Sequence, residues 1–138
     1  MKFVILIYTD KALLDALPKE QFDAKMRYCL EHADELRQDG QLLDSQMLEG
    51  VATARSVRVR NGRQTIVDGP FAETKEMLAG FNLIEAENID EAVRIATEFP
   101  WSHTGCVEVR PVQDIEAVRR RVNASLPGHT GPLHPNSV

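Results

Sequence analysis

The hexapeptide Phe3-Val4-Ile5-Leu6-Ile7-Tyr8 constrains this chain more than any other segment. As a strand it sends Phe3, Ile5 and Ile7 to one side and Val4, Leu6 and Tyr8 to the other. Both sides are apolar, so the strand needs cover on two faces, and one layer of helices covers only one. A second segment, Leu78 to Ala86, repeats the problem: Phe81 and Leu83 alternate with Asn82 and Ile84.

The rest of the chain supplies one layer of cover. Phe22, Met26, Cys29, Leu30, Ala33 and Leu36 form one apolar helical stripe. Pro18 suits a first helical position and Gly40 a stop, which predicts one helix over 18–39. The stretch from Asp10 to Leu17 reads as a connecting loop, either irregular or partly helical, and Leu42-Leu43 and Met47 to Ala54 are weakly patterned. Arg55 to Arg60 and Gln64 to Val67 flank Asn61-Gly62, a strong hairpin signal because both residues accept positive φ. Asn88 with Glu91 resembles a capping box for a second helix, with Ile89, Ala92, Val93 and Ala96 as its stripe and Pro100 as its end. Gly105 to Val112 reads as a strand, and Asp114 as the cap of a short third helix. Residues 123–138 carry no formally charged side chain and hold three of the seven prolines, so they read as a flexible or partner-packed tail after a domain of residues 1–122. The order of elements points to an α+β fold, the ferredoxin-like split βαβ with an antiparallel sheet. Both helices pack on one face of such a sheet, and a second copy of the chain is the simplest cover for the other, giving a homodimer.

Charge and motifs narrow the function classes. Sixteen Lys and Arg against 21 Asp and Glu give a net charge of −5, which weighs against a dedicated nucleic-acid binder or a polybasic membrane protein. The longest apolar run is too short to cross a bilayer, and the N-terminus has no signal-peptide pattern. Cys29 and Cys106 lie far apart without CxxC partners, so neither a disulfide framework nor a zinc site is expected, and a reducing cytoplasm fits. Neither a Gly-rich phosphate loop nor an HExxH pattern occurs, so the expectation is no cofactor and no metal. The arginines at 55, 58, 60 and 63 read as a solvated hairpin face.

The segment Asp68-Gly69-Pro70-Phe71-Ala72-Glu73-Thr74-Lys75-Glu76 closely resembles the signature of the DGPF group within the YCII-related family. The opening strand, the Val57-Arg58-Val59-Arg60 hairpin, Gly80-Phe81 and Val107 to Val112 agree with it. The resemblance covers about residues 1–122. It implies a dimeric α+β barrel of ferredoxin-like subunits. It implies little about activity, because the DGPF group is largely uncharacterised. Some members are encoded beside extracytoplasmic-function sigma factors, which makes such a factor a candidate partner. The wider family includes a cofactor-free dehydrochlorinase and a proposed His–Asp pair. Here Cys29 and Phe99 stand where that pair is expected, so the dyad does not carry over.

Candidate site residues follow from the residues themselves. Asp68 ends a strand, where its carboxylate can accept N–H bonds from the turn or move a proton, and Phe71 can anchor the loop in the core. Glu73, Lys75 and Glu76 sit where a loop meets a strand, suited equally to ligand contact and to an ion network. His32 lies on the flank of the helical stripe beside Tyr28, as a general base or as a surface residue. Arg110 shares a strand face with Glu108 and can hold an anion. Two functions stand side by side. One is a dimer-associated cleft for a small organic, in one version anionic, molecule, with Asp68, His32 or Glu73 moving a proton in isomerase- or lyase-like chemistry. The other is a non-catalytic dimeric accessory module linked to a sigma factor.

Overall fold

The structure, a computed structural model, describes residues 1–125. In chain order its elements are β1 (Lys2–Asp10), α1 (Lys11–Asp15), α2 (Lys19–Gln38), β2 (Leu42–Met47), β3 (Arg55–Arg60), β4 (Arg63–Asp68), β5 (Glu76–Glu85), α3 (Ile89–Thr97), β6 (Gly105–Pro111) and α4 (Ile115–Val122). A single 3-10 turn, Val51–Thr53, precedes β3. Residues 126–138, most of the expected tail, lie outside the described residues.

Four strands form an antiparallel sheet in the order β2-β5-β1-β6. This is the ferredoxin-like arrangement, with the β3–β4 hairpin inserted between β2 and β5 as a separate two-stranded sheet. The doubly apolar β1 lies inside the sheet, flanked by β5 and β6. Its Phe3, Ile5 and Ile7 are buried together with Ile84, with Ala33 and Leu36 of α2, and with Ala92, Ile95 and Ala96 of α3. Full burial of a side chain such as Phe3, Phe99, Ile5, Ile84 or Ile95 contributes about 1.5–3 kcal/mol relative to exposure.

Register assigns the opposite face. Val4 pairs with Leu83 and Arg110, Leu6 with Phe81 and Glu108, and Tyr8 with Leu78 and Cys106. Val4, Leu6, Phe81 and Leu83 are only half-buried. Among the described residues, this face lacks the helical cover that the other has.

The local signals hold with some shifts. Asn61 and Gly62 take positive φ (54° and 73°) at the hairpin turn. Asn88 caps α3 by accepting the Glu91 N–H at 2.9 Å, and Asp114 caps α4 by accepting from Glu116 and Ala117. Pro18 is the N-cap of α2 rather than its first helical residue. The buried stripe of α3 is Ala92, Ile95 and Ala96; Ile89 and Val93 of the expected stripe are exposed, because the helix is rotated toward Ile95. Of the two forms open to Asp10–Leu17, the partly helical one is present: Asp10 caps the short α1. The weakly patterned stretch after Gly40 holds an unforeseen strand, β2, whose polar Asp44, Ser45 and Gln46 suit a sheet edge. No helix among the described residues is long and apolar enough to cross a membrane.

Candidate functional site

The α2 stripe is not covered evenly. Ala33 and Leu36, near its C-terminal end, are buried in the core. Phe22, Met26 and Cys29, nearer its N-terminus, are only partly buried and line a cleft between α2 and the sheet. The cleft has a volume of about 700 Å³. Its floor comes from Ile7, Gly80 and Asn82, one side from Ser45 and Met47 of β2, and its rim from α1 and residues 73–75. Trp101 closes one end. It is 6% exposed, its ring lies 6.0 Å from Phe22, and its indole N–H donates to Cys29 Sγ at 3.3 Å. Burial pushes the Cys29 thiol above its ordinary pKa, and the Trp101 hydrogen bond partly offsets that.

Few polar groups reach this space. Ser45 donates its hydroxyl proton to Asn82 Oδ1 at 2.7 Å. At the rim, Lys75 Nζ lies 3.7 Å from Asp10 Oδ2, and Lys11 pairs with Asp15. Asp10 is 3% exposed, and its Oδ1 accepts the N–H groups of Ala12 and Leu13. One carboxylate thus holds the start of α1 and, through Lys75, the segment after Pro70. Sequence reading passed over both Asp10 and Asn82. The available signals were a strand-final Asp before Lys-Ala-Leu-Leu, an N-cap pattern, and an Asn inside an apolar strand.

The expected site residues separate into four places. Glu73 and Lys75 border the cleft. Phe71 and Glu76 border a second depression, of about 1020 Å³, together with Tyr8, Cys106 and Glu108. There Tyr8 donates its hydroxyl proton to Glu108 at 3.1 Å, and burial together with that carboxylate raises the tyrosine pKa. Arg110 lies further along the same open face, opposite Val4. Phe71 does not anchor the loop in the core, being 78% exposed, because the hairpin stands clear of the main sheet.

Asp68 and His32 lie apart from both spaces. Asp68 is exposed at the end of β4, and its partner is Arg55 across the hairpin (3.6 Å), not the backbone of the following turn. The turn takes its shape from Gly69, with φ +97°, whose N–H donates to Ala54 O. His32 occupies the flank of α2 that meets the end of α3. Its ring stacks on Tyr28 (5.7 Å) and meets Phe99 edge-on (5.5 Å). Its Nε2 lies 2.7 Å from Glu98 Oε2, close enough for an ion pair but off the direction of a hydrogen bond. A histidine–carboxylate pair therefore exists in the chain, outside the cleft. No group of three or more His, Cys, Asp or Glu side chains among the described residues is arranged to hold a metal ion.

Comparison with known families now bears on this geometry. The model of the YCII-related domain matches residues 1–116. The chain belongs to the YCII-related family. The match spans all six strands, the cleft and the Asp68-Gly69-Pro70-Phe71 segment. An uncharacterised protein of Rhizobium meliloti (strain 1021) is 34% identical over 114 residues, covering 81% of this chain and 92% of that protein. Among solved structures, a 5-chloro-2-hydroxyhydroquinone dehydrochlorinase from Burkholderia phenoliruptrix AC1100, in complex with 2,5-dihydroxybenzoquinone, aligns over 82% of this chain and 94% of its own. Its sequence identity is 16% and its TM-score 0.49.

Proposed function

We propose that this YCII-related chain is a homodimer whose α2–sheet cleft binds a small organic molecule. The observation that carries the reading is the cleft: about 700 Å³, walled by Phe22, Met26, Met77 and Trp101, with a few polar groups at its floor and rim. Ligand sites of roughly 300–1,000 Å³ with apolar walls and a small number of placed polar groups are the common pattern. The homodimer reading is supported by the half-buried apolar face of β1 and β5, which a second sheet would cover.

The rim charges favour a neutral ligand over an anionic one. Lys11 and Lys75 border the cleft, but each already faces a carboxylate, Asp15 and Asp10, and Glu49 and Glu73 add negative charge. Of the three residues expected to move a proton, only Glu73 borders the cleft, so cofactor-free proton transfer in this reading falls to Glu73.

A small-molecule thermal-shift screen tests the reading. A ligand at 100 times its Kd stabilises the folded state by about 2.7 kcal/mol. That stabilisation is expected to survive Asp68→Ala and to disappear in Met26→Trp, which fills the cleft. Hits lost on Asp68→Ala but kept in Met26→Trp would overturn the cleft assignment. A screen with no hit would move the reading to the non-catalytic accessory module and its sigma-factor partner.

A further inference from the structure

The cleft floor holds one residue that folding alone does not call for. Asn82 sits in the middle of β5, cross-strand from Ile5, between Phe81 and Leu83. Asparagine is a poor strand former, and Asn82 is 6% exposed on a face where its buried neighbours from β1 and β5 are Phe3, Ile5, Ile7 and Ile84. A local conflict of this kind between residue and environment marks functional positions.

Its hydrogen bonding is half complete. Ser45, its cross-strand neighbour on β2, donates to Oδ1 at 2.7 Å and fixes the plane of the amide. No described residue accepts from Nδ2, and that nitrogen is not sealed from the cleft it lines. Asn82 therefore presents an oriented pair of N–H donors to an apolar space. When an apolar ligand fills the cleft it shuts Nδ2 off from solvent, and an acceptor oxygen on that ligand keeps the donors satisfied.

We propose that Asn82 is the specificity-determining donor of this cleft and that its ligands are small neutral carbonyl compounds. A ketone, enone or ester oxygen sits on Nδ2, and the hydrocarbon skeleton packs against Phe22, Met26 and Trp101. A carbonyl oxygen only accepts, which matches the two N–H donors of Nδ2. Among the described residues, the two lysines at the rim, Lys11 and Lys75, each already face a carboxylate. This inference rests on the cleft-binding reading above.

The test uses two nearly isosteric probes, acetophenone and α-methylstyrene, which differ by C=O against C=CH2. In 15N-edited NMR spectra of the wild-type protein, acetophenone shifts the Asn82 side-chain NH2 resonances, assigned by their loss in Asn82→Leu. α-Methylstyrene shifts resonances of the cleft walls and leaves that NH2 pair in place. The ratio of the two affinities moves against the ketone by about tenfold in Asn82→Leu, the size of one well-made neutral hydrogen bond. Ser45→Ala, which releases Oδ1 and the amide plane, moves it the same way by a smaller factor. An NH2 pair that ignores acetophenone while the walls respond, or a ratio unchanged in both variants, overturns the role of Asn82 and leaves the cleft reading standing. Probes that perturb no cleft resonance of the wild type overturn the cleft reading, and this inference with it. Through-bond correlation of the NH2 pair to the Asn82 Cβ and backbone assigns it independently, so the wild-type spectra decide the matter even if Asn82→Leu does not fold.

Discussion

Asp10 lets two effects be separated by magnitude. Its Oδ1 caps α1 through the N–H groups of Ala12 and Leu13 (3.0 and 3.4 Å), and its Oδ2 faces Lys75 at 3.7 Å. Replacing an N-cap Asp by Ala costs about 0.5–2 kcal/mol. At 3% exposure the freed N–H groups have little water to turn to, which places Asp10→Ala near the upper end, about 2 kcal/mol. Asparagine caps a helix about as well as aspartate, so Asp10→Asn loses only the ion pair. The Lys75 side chain is 84% exposed, and pairs of that kind contribute about 0–1 kcal/mol after screening. Asp10→Asn and Lys75→Met are therefore expected to cost about 0.5 kcal/mol each, well below Asp10→Ala. Urea unfolding followed by the fluorescence of Trp101, the one tryptophan, measures all three. At about 4 °C per kcal/mol, Asp10→Ala lowers Tm by about 8 °C. A Lys75→Met protein as unstable as Asp10→Ala would refute the argument, because the charge pair rather than the cap would then hold this corner.

Other predictions follow from single positions. A Cβ at Gly105 would lie 1.9 Å from Tyr8 O and 2.9 Å from Thr9 Cα, both backbone atoms, so Gly105→Ala is expected to cost more than about 3 kcal/mol in urea unfolding. Gly50→Ala, with nothing within 4 Å, is the control and stays within about 0.5 kcal/mol. Cys106 is exposed in one chain but lies on the face assigned to the partner, so iodoacetamide is expected to label it faster in a monomeric Leu6→Glu protein than in the wild type, and Cys29 mainly after unfolding in both. Burial raises the Cys29 and Tyr8 pKa values, so their contribution to stability is full below the ordinary thiol and phenol values and falls as pH rises through the folded ones. The urea midpoint should therefore decline above about pH 9, and Cys29→Ala should flatten the start of that decline. For the proposed homodimer, light scattering is expected to show a dimer at micromolar concentration and a monomer for Leu6→Glu on the open face.

The fold was largely legible because its strongest signals are local. A doubly apolar strand, a long helical stripe, Asn61-Gly62 and the caps Asn88 and Asp114 each name an element within a few residues. β2 was missed because an edge strand carrying Asp44, Ser45 and Gln46 looks like a loop until β5 pairs with it. The α3 stripe was rotated in the reading because Val93 and Ile95 are equally apolar in sequence, and only the sheet decides between them. The site was much less legible. Asp68 and His32 attracted attention as titratable groups near a motif and a stripe. Whether such groups meet in one space depends on how the hairpin leaves the sheet and which flank of α2 turns to α3. Asn82 acquires its meaning from Ser45, 37 residues away, and from the space above them.

The cleft can be probed by a crystallographic fragment screen with small neutral compounds. Bound fragments are expected to collect between α2 and the sheet, against Phe22 and Trp101, with an oxygen within hydrogen-bond distance of Asn82 Nδ2. Fragments that bind elsewhere on the chain while this cleft stays empty would contradict the cleft assignment.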